Sequence, residues 1–244
     1  MRNIKLVIAY DGTDYKGWQF QDNGLTVQEM MERALGRVLG RKHRVHGASR
    51  TDSGVHALGQ VVGFKTSHTI PVEKLPLALN PVLPETISVI SAEEVDADFH
   101  VRFSAVSKKY TYHIFNSRQR DPFIEKYSWR VPYRLDIALM RKESRALLGK
   151  HDFKSFQAKD KIERGAVRTI SGISIRKAGK NVHVTVKGDG FLYNMVRNVV
   201  GTLVDIGRGY LPPGSMKAIL EKKDRVHAGP TAPAKGLFLV EVRY

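Results

Sequence analysis

The strongest constraint on the fold is a change of apolar period early in the chain. Ile4-Lys5-Leu6-Val7-Ile8-Ala9-Tyr10 reads as a strand. After a glycine-punctuated loop with two aromatics, Asp11 to Gln19, Thr26 and Glu29 form a capping box. Behind it Val27, Met30, Met31, Ala34, Leu35, Val38 and Leu39 fall on one helical stripe. Alternation returns after Arg41, breaks at the polar loop Ser49-Arg50-Thr51-Asp52-Ser53-Gly54, and resumes from Ala57. Residues Val72 to Leu79 predict a short helix ended by Asn80-Pro81, and Ile87 to Ile90 a further strand. Strand, helix, strand, strand, helix, strand is the split βαβ pattern of ferredoxin-like domains.

The second half repeats the pattern. Lys109 to Phe115 alternates like a strand, and a basic helix runs from Asp136, its cap, to Leu148. Lys154 to Arg168 reads as a basic insertion loop, and Ile173 to Val186 as a hairpin turning at Ala178-Gly179-Lys180-Asn181. A helix is expected from about Phe191, with Leu192, Met195, Val196, Val199, Val200 and Leu203 as its apolar stripe. A strand, Leu237 to Val242, closes the chain. The expected class is α+β: two ferredoxin-like (RRM-like) α/β domains, residues 1–104 and 105–244, whose antiparallel sheets flank a central basic cleft.

Charge gives the two halves different tasks. Forty Lys and Arg against 24 Asp and Glu leave the 244 residues at +16. Residues 1–104 hold 12 basic and 12 acidic side chains, whereas residues 105–244 hold 28 and 12, so the whole excess lies in the second half. A fold gains nothing from such self-repulsion, and a phosphate backbone is the partner it suits. With no cysteine, disulfides, thiolate nucleophiles and cysteine zinc sites are excluded together. The N-terminal residues turn polar too quickly for a signal peptide, and no apolar run reaches the length of a membrane span. A cytoplasmic protein without a membrane partner is the expectation.

Within the loop 49–54, Asp52 has two readings: turn chemistry in a long hairpin, or a nucleophile or general base beside the guanidinium of Arg50. Tyr110, adjoining Lys108 and Lys109, is either strand packing or a base-stacking platform. Arg197 lies roughly 130° from the centre of its helix's apolar stripe at about 100° per residue, so it faces a cleft or solvent. Lys108, Lys109, Lys154, Lys159, Lys161 and Arg164 are the candidate RNA contacts. Gly188-Asp189-Gly190 lacks the third glycine of a dinucleotide fingerprint, and there is no P-loop, which argues against a nucleotide cofactor. His43 and His46 face opposite sides of a strand and the carboxylates are scattered, so no metal is expected. A metal-dependent nuclease and a non-catalytic RNA-binding module stay open on spacing alone.

Ser49-Arg50-Thr51-Asp52-Ser53-Gly54-Val55-His56-Ala57 resembles the catalytic motif of the tRNA pseudouridine synthase A family. The likeness extends through Tyr10-Asp11-Gly12-Thr13 with Gly17-Trp18-Gln19, Phe99 to Ala105, Lys109-Tyr110-Thr111-Tyr112, Phe191 to Asn198, and Ala232 to Leu237. Ser49 and Ser53 replace the commoner glycine and alanine, and Val101 the usual alanine. The resemblance implies two ferredoxin-like domains, a homodimer, no cofactor, and isomerisation of uridines 38 to 40 in the tRNA anticodon stem-loop. It makes Asp52 the nucleophile, Arg197 its ionic partner and Tyr110 the residue stacked on the target uracil. Arg50 then fills the gap left by the flipped uridine or holds it, and Leu237 contacts the substrate.

Overall fold

A computed structural model describes residues 1–159 and 165–244, and the chain falls into two units. Unit 1 comprises Met1–Val106 with Phe238–Tyr244, and unit 2 comprises Ser107–Leu237. The fold is mixed α+β, with five α-helices among the described residues.

Unit 1 contains β1 (Arg2–Tyr10), α1 (Val27–Leu39), β2 (His46–Gly47), β3 (His56–Thr66), α2 (Leu75–Leu79) and β4 (Ile87–Val95). Its strands run β4-β1-β3 antiparallel. As the capping box requires, the Thr26 hydroxyl accepts from Glu29 N–H at 3.3 Å. Ile4, Leu6 and Ile8 of β1 are fully buried, as are Val27, Met31 and Leu35 of α1, each contributing about 1.5–3 kcal/mol of transfer free energy. The strand expected after Arg41 shrinks to two residues. Val45 N–H donates to Glu32 Oε1 of α1 at 3.1 Å instead of joining a ladder. The His43 ring is taken up by Arg41 O and Thr66 Oγ1, at 2.8 and 3.0 Å.

Unit 2 contains β5 (Ser107–Asn116), β6 (Trp129–Val131), α3 (Ile137–Ser144), β7 (Gly149–Asp152), β8 (Val167–Ala178), β9 (Asn181–Gly188), α4 (Met195–Gly207) and α5 (Ser215–Lys222). Its strands run β5-β9-β8-β7 antiparallel, with β6 parallel on β5. The hairpin turns where expected, and Asp136 caps α3 by accepting from Leu139 N–H at 2.9 Å. Helix α4 starts four residues later than its apolar stripe suggests. Asn194 takes a left-handed conformation, φ 58°, that ends a preceding turn. Helix α5 escapes local reading because its cap comes from afar: the Glu143 carboxylate of α3 accepts from Gly214 and Met216 N–H at 2.8 and 3.2 Å.

The closing strand β10 (Leu237–Arg243) pairs with unit 1. It runs parallel to β3, with Phe238 opposite His56 and Leu239 opposite Ala57. Phe238 stacks on the His56 ring at 4.7 Å, and Leu239 is fully buried. The division between units thus falls at Val106 and returns at Phe238, where a single boundary at Ser104 was expected.

Candidate active site

In unit 1 the Asp52 loop rests on the segment 11–19. Trp18 N–H donates to Thr51 O at 3.1 Å, Gly54 N–H to Tyr15 O at 3.3 Å, and Ser53 Oγ–H to the same carbonyl at 3.2 Å. A buried hydrogen bond of 2.7 Å joins the Tyr10 and Thr51 hydroxyls. A Cβ on Gly12 would overlap the Val55 carbonyl, so the two loops meet backbone to backbone only because that position is glycine. The turn itself closes from Val55 N–H to Asp52 O at 3.1 Å, with Gly54 at φ 75° as a type II turn requires. At the loop's base the buried Gln60 amide accepts from Ser49 N–H at 3.1 Å and donates to Ser49 O at 2.7 Å. These contacts hold a half-buried Asp52 carboxylate on rigid backbone, with Arg50 exposed on the same loop.

His56, just past the loop, is almost fully buried. Its Nδ1 lies 3.0 Å from both Gly12 N and Asp11 Oδ1. Neutral, it accepts from Gly12; protonated, it pairs with Asp11. The opening motif therefore builds the platform for the loop, a role that its spacing did not disclose.

In unit 2 Arg197 is the single position of α4 that is not buried. Its Nε donates to Ala232 O and its Nη1 to Asn194 Oδ1, both at 2.8 Å. Ala232 N–H returns a bond to Arg197 O at 3.2 Å. The segment carrying Ala232 is laid flat on α4. Gly229 N–H donates to Thr202 Oγ1 at 2.9 Å and Thr231 Oγ1–H to Asn198 Oδ1 at 2.6 Å. A Cβ on Gly201 would overlap the Pro230 carbonyl oxygen. Arg225 adds a clamp, donating to Ala228 O, Asn198 Oδ1 and Thr231 Oγ1 at 3.1, 3.0 and 3.2 Å. Its partial burial lowers its pKa from the ordinary arginine value.

Tyr110 is buried on β5 opposite Val186, with the Phe191 ring edge-on at 5.1 Å. Two residues on, Tyr112 is fully buried and donates its hydroxyl to Pro233 O at 2.7 Å. Burial pushes its pKa far above the usual tyrosine range, against the opposing charge of Arg197. Tyr112 thus ties the segment before Leu237, itself buried, to the strand of Tyr110. Tyr112, Asn194, Asn198 and Ala232 were missed as site-building residues, the signal being only that each sits within a recognised motif.

The loop residues Arg50 and Asp52 lie together in unit 1, and Tyr110 and Arg197 in unit 2. Lys108 and Lys109 are half-buried at the start of β5, and Lys154 and Lys159 are exposed. Lys161 and Arg164 lie outside the described residues. Among the described residues no group of three or more His, Cys, Asp or Glu side chains converges as a metal site. No helix described is long and apolar enough to cross a membrane.

Residues 6–104 and 144–244 match the family model described as tRNA pseudouridine synthase. A protein of Thermoanaerobacter sp. called tRNA pseudouridine synthase A is 45% identical over 244 residues, covering 100% of both chains. Its namesake from Acetivibrio thermocellus is 46% identical with the same full coverage. Among solved structures, a Cbf5-Nop10-Gar1 complex aligns with a TM-score of 0.41 at 10% identity, over 97% of this chain and 48% of that one.

Proposed function

This chain belongs to the tRNA pseudouridine synthase A family, and from that premise we propose how its own residues isomerise uridine to pseudouridine in tRNA. The reaction breaks the bond from ribose C1′ to uracil N1 and forms one from C1′ to C5. The C5 proton is lost and N1 gains one, so no redox partner is required. Asp52 supplies the carboxylate nucleophile. The observation that carries this reading is the fixing of its loop by the segment 11–19 and by Gln60. A nucleophile held by backbone contacts reacts without first ordering its own loop.

Arg197 serves as the counter-charge that keeps Asp52 ionised. Its orientation by Ala232 O and Asn194 Oδ1 supports a positional role, since a cation meant only for solubility needs no such fixing. Tyr110 stacks on the target uracil and assists removal of the C5 proton, while Leu237 lines the substrate's place. Arg50, exposed beside Asp52, holds the flipped nucleotide or the gap it leaves. The substrate region is the anticodon stem-loop, at positions 38 to 40, engaged by a cytoplasmic homodimer. Lys108, Lys109, Lys154, Lys159, Lys161 and Arg164 contact its phosphates. The order β4-β1-β3 with β2 beside β3 supports a ferredoxin-like description of unit 1, with β2 reduced and β10 added, and the same class is proposed for unit 2.

The test is incubation of purified protein with unmodified tRNA in excess EDTA, followed by nucleoside analysis. Pseudouridine from the wild type and none from Asp52→Asn is the expected result. Shortened RNA that EDTA abolishes would replace this reading with a metal-dependent nuclease.

A further inference from the structure

In unit 1 a second aromatic site lies on the segment after β4, built from residues given no part in the reaction. Phe103 is 78% exposed, yet the backbone beneath it is fixed. Val101 packs in a buried cluster with Ala48 and Val61, and its carbonyl accepts from the Tyr244 hydroxyl at 2.7 Å. His100 Nδ1 accepts from Arg102 and Phe103 N–H at 3.1 and 3.4 Å, and Ser104 N–H donates to His100 O at 2.9 Å. Around this tight turn the rings form a ladder. Phe103 lies 4.5 Å from the His100 ring at 32°, and His100 lies 5.6 Å from the His46 ring. The Arg102 guanidinium sits 5.7 Å over the Phe103 ring.

An exposed phenylalanine on a mobile loop would mean little. One fixed in place and flanked by two imidazoles and a guanidinium is a different object. Arg44 adds positive charge near His46. Glu32, the carboxylate that acts on the same ring, is engaged by Val45 N–H and by the Gln28 amide at 3.1 and 3.0 Å. The cations beside the ladder, Arg102 over Phe103 and Arg44 near His46, favour a polyanion as its occupant. Flat π faces beside cations suit an unstacked base carried next to its phosphate. We infer that the Phe103–His100–His46 ladder is a docking surface for an unpaired base of the RNA substrate, a contact in the charge-neutral unit. The inference rests on the tRNA reading above.

The test measures affinity for an unmodified tRNA transcript at several salt concentrations, beside melting temperature and solution mass. Phe103→Ala is expected to weaken binding roughly tenfold, the scale of one lost stacking contact. Its melting temperature and mass should stay those of the wild type, and its salt slope should not change, because no phosphate contact is lost. Phe103→Leu should behave like alanine and Phe103→Trp like the wild type. Wild-type affinity in Phe103→Ala overturns the inference. So does a change of mass, which would make the ladder an interface between copies. If the wild type makes no pseudouridine while Phe103→Ala still loses affinity, the catalytic reading fails and the ladder stands.

Discussion

Unit 1 carries 13 basic and 13 acidic residues, and unit 2 carries 27 and 11. In unit 1 cations are matched locally: Arg2 meets Glu94 at 2.9 Å, Arg33 meets Glu29 at 2.6 Å, and Lys5 meets Glu93. In unit 2 the half-buried Arg225 is held by neutral oxygens, and two donors of Arg197 go to neutral oxygens as well. Neutral acceptors fix the direction of a guanidinium. Unit 2 also pairs cations with carboxylates, Arg208 with Asp205 at 2.8 Å and Lys235 with Glu125 at 2.6 Å. The units thus differ in the surplus of cations rather than in the lack of partners. In the function proposed above, unit 1 presents the Asp52 carboxylate and unit 2 that surplus.

The sharpest way to break that comparison is Asp52→Asn. It should cut pseudouridine formation more than about a thousandfold, as loss of a nucleophile does, with tRNA affinity and melting temperature nearly unchanged. Near-normal turnover would strip unit 1 of its role. Next comes Arg197→Lys. An ammonium cannot reach Ala232 O and Asn194 Oδ1 while still offering a planar fork, so activity should fall roughly a hundredfold at constant melting temperature. Full activity would return Arg197 to an ordinary surface role.

Two glycines test whether both presentations depend on close backbone approach. Gly12→Ala forces a Cβ into the Val55 carbonyl, and Gly201→Ala into that of Pro230. Each should cost about 1–3 kcal/mol by urea unfolding and lower activity beyond what the stability loss explains. A silent Gly201→Ala would show that the segment 228–233 is not what fixes Arg197.

Salt dependence sharpens the division of charge. Neutralising Lys154, Lys159, Lys161 and Arg164 should flatten the slope of log affinity against log salt by about 2 to 4 units. Neutralising Arg33, Arg37, Arg41 and Lys42 should change it less; Arg33 is already paired with Glu29, and Arg41 bonds the Ser67 hydroxyl. The reverse ranking would place the RNA chiefly on unit 1. The smallest effect concerns His46, whose pKa is lowered by desolvation, then by His100 and Arg44. The unfolded chain binds that proton more readily, so the contribution is full above the ordinary value near 6.5 and is lost as pH falls below it. The drop in melting temperature between pH 7.5 and 5.5 should be slightly smaller in His46→Gln than in the wild type.

Local chemistry made much of this legible. The capping box, the α1 stripe, the Asp136 cap and the hairpin at Ala178 to Asn181 depend on residues close in sequence, and each formed as expected. Arg197 was recognisable as lying off the apolar face because a helix keeps its period wherever it packs. What stayed hidden was settled by distant partners. Glu32 diverts Val45 from a ladder, Glu143 caps α5 across 71 residues, and β10 chooses β3. In the candidate site, Asp52 was singled out through its motif, whereas the supports of its loop at Trp18, Tyr15 and Gln60 belong to segments whose contact no spacing reveals.

The return of β10 to β3 has a bearing on how the protein is made. Unit 2 lies entirely between the two pieces of unit 1, so residues 107–237 are synthesised before residues 238–244 exist. Until then the backbones of His56 and Ala57, directly beyond the Asp52 loop, lack the parallel partners that β10 supplies. Until residues 238–244 are placed, the base of the Asp52 loop remains an open sheet edge. Translation that stalls before Phe238 leaves a chain without the strand that flanks the base of that loop.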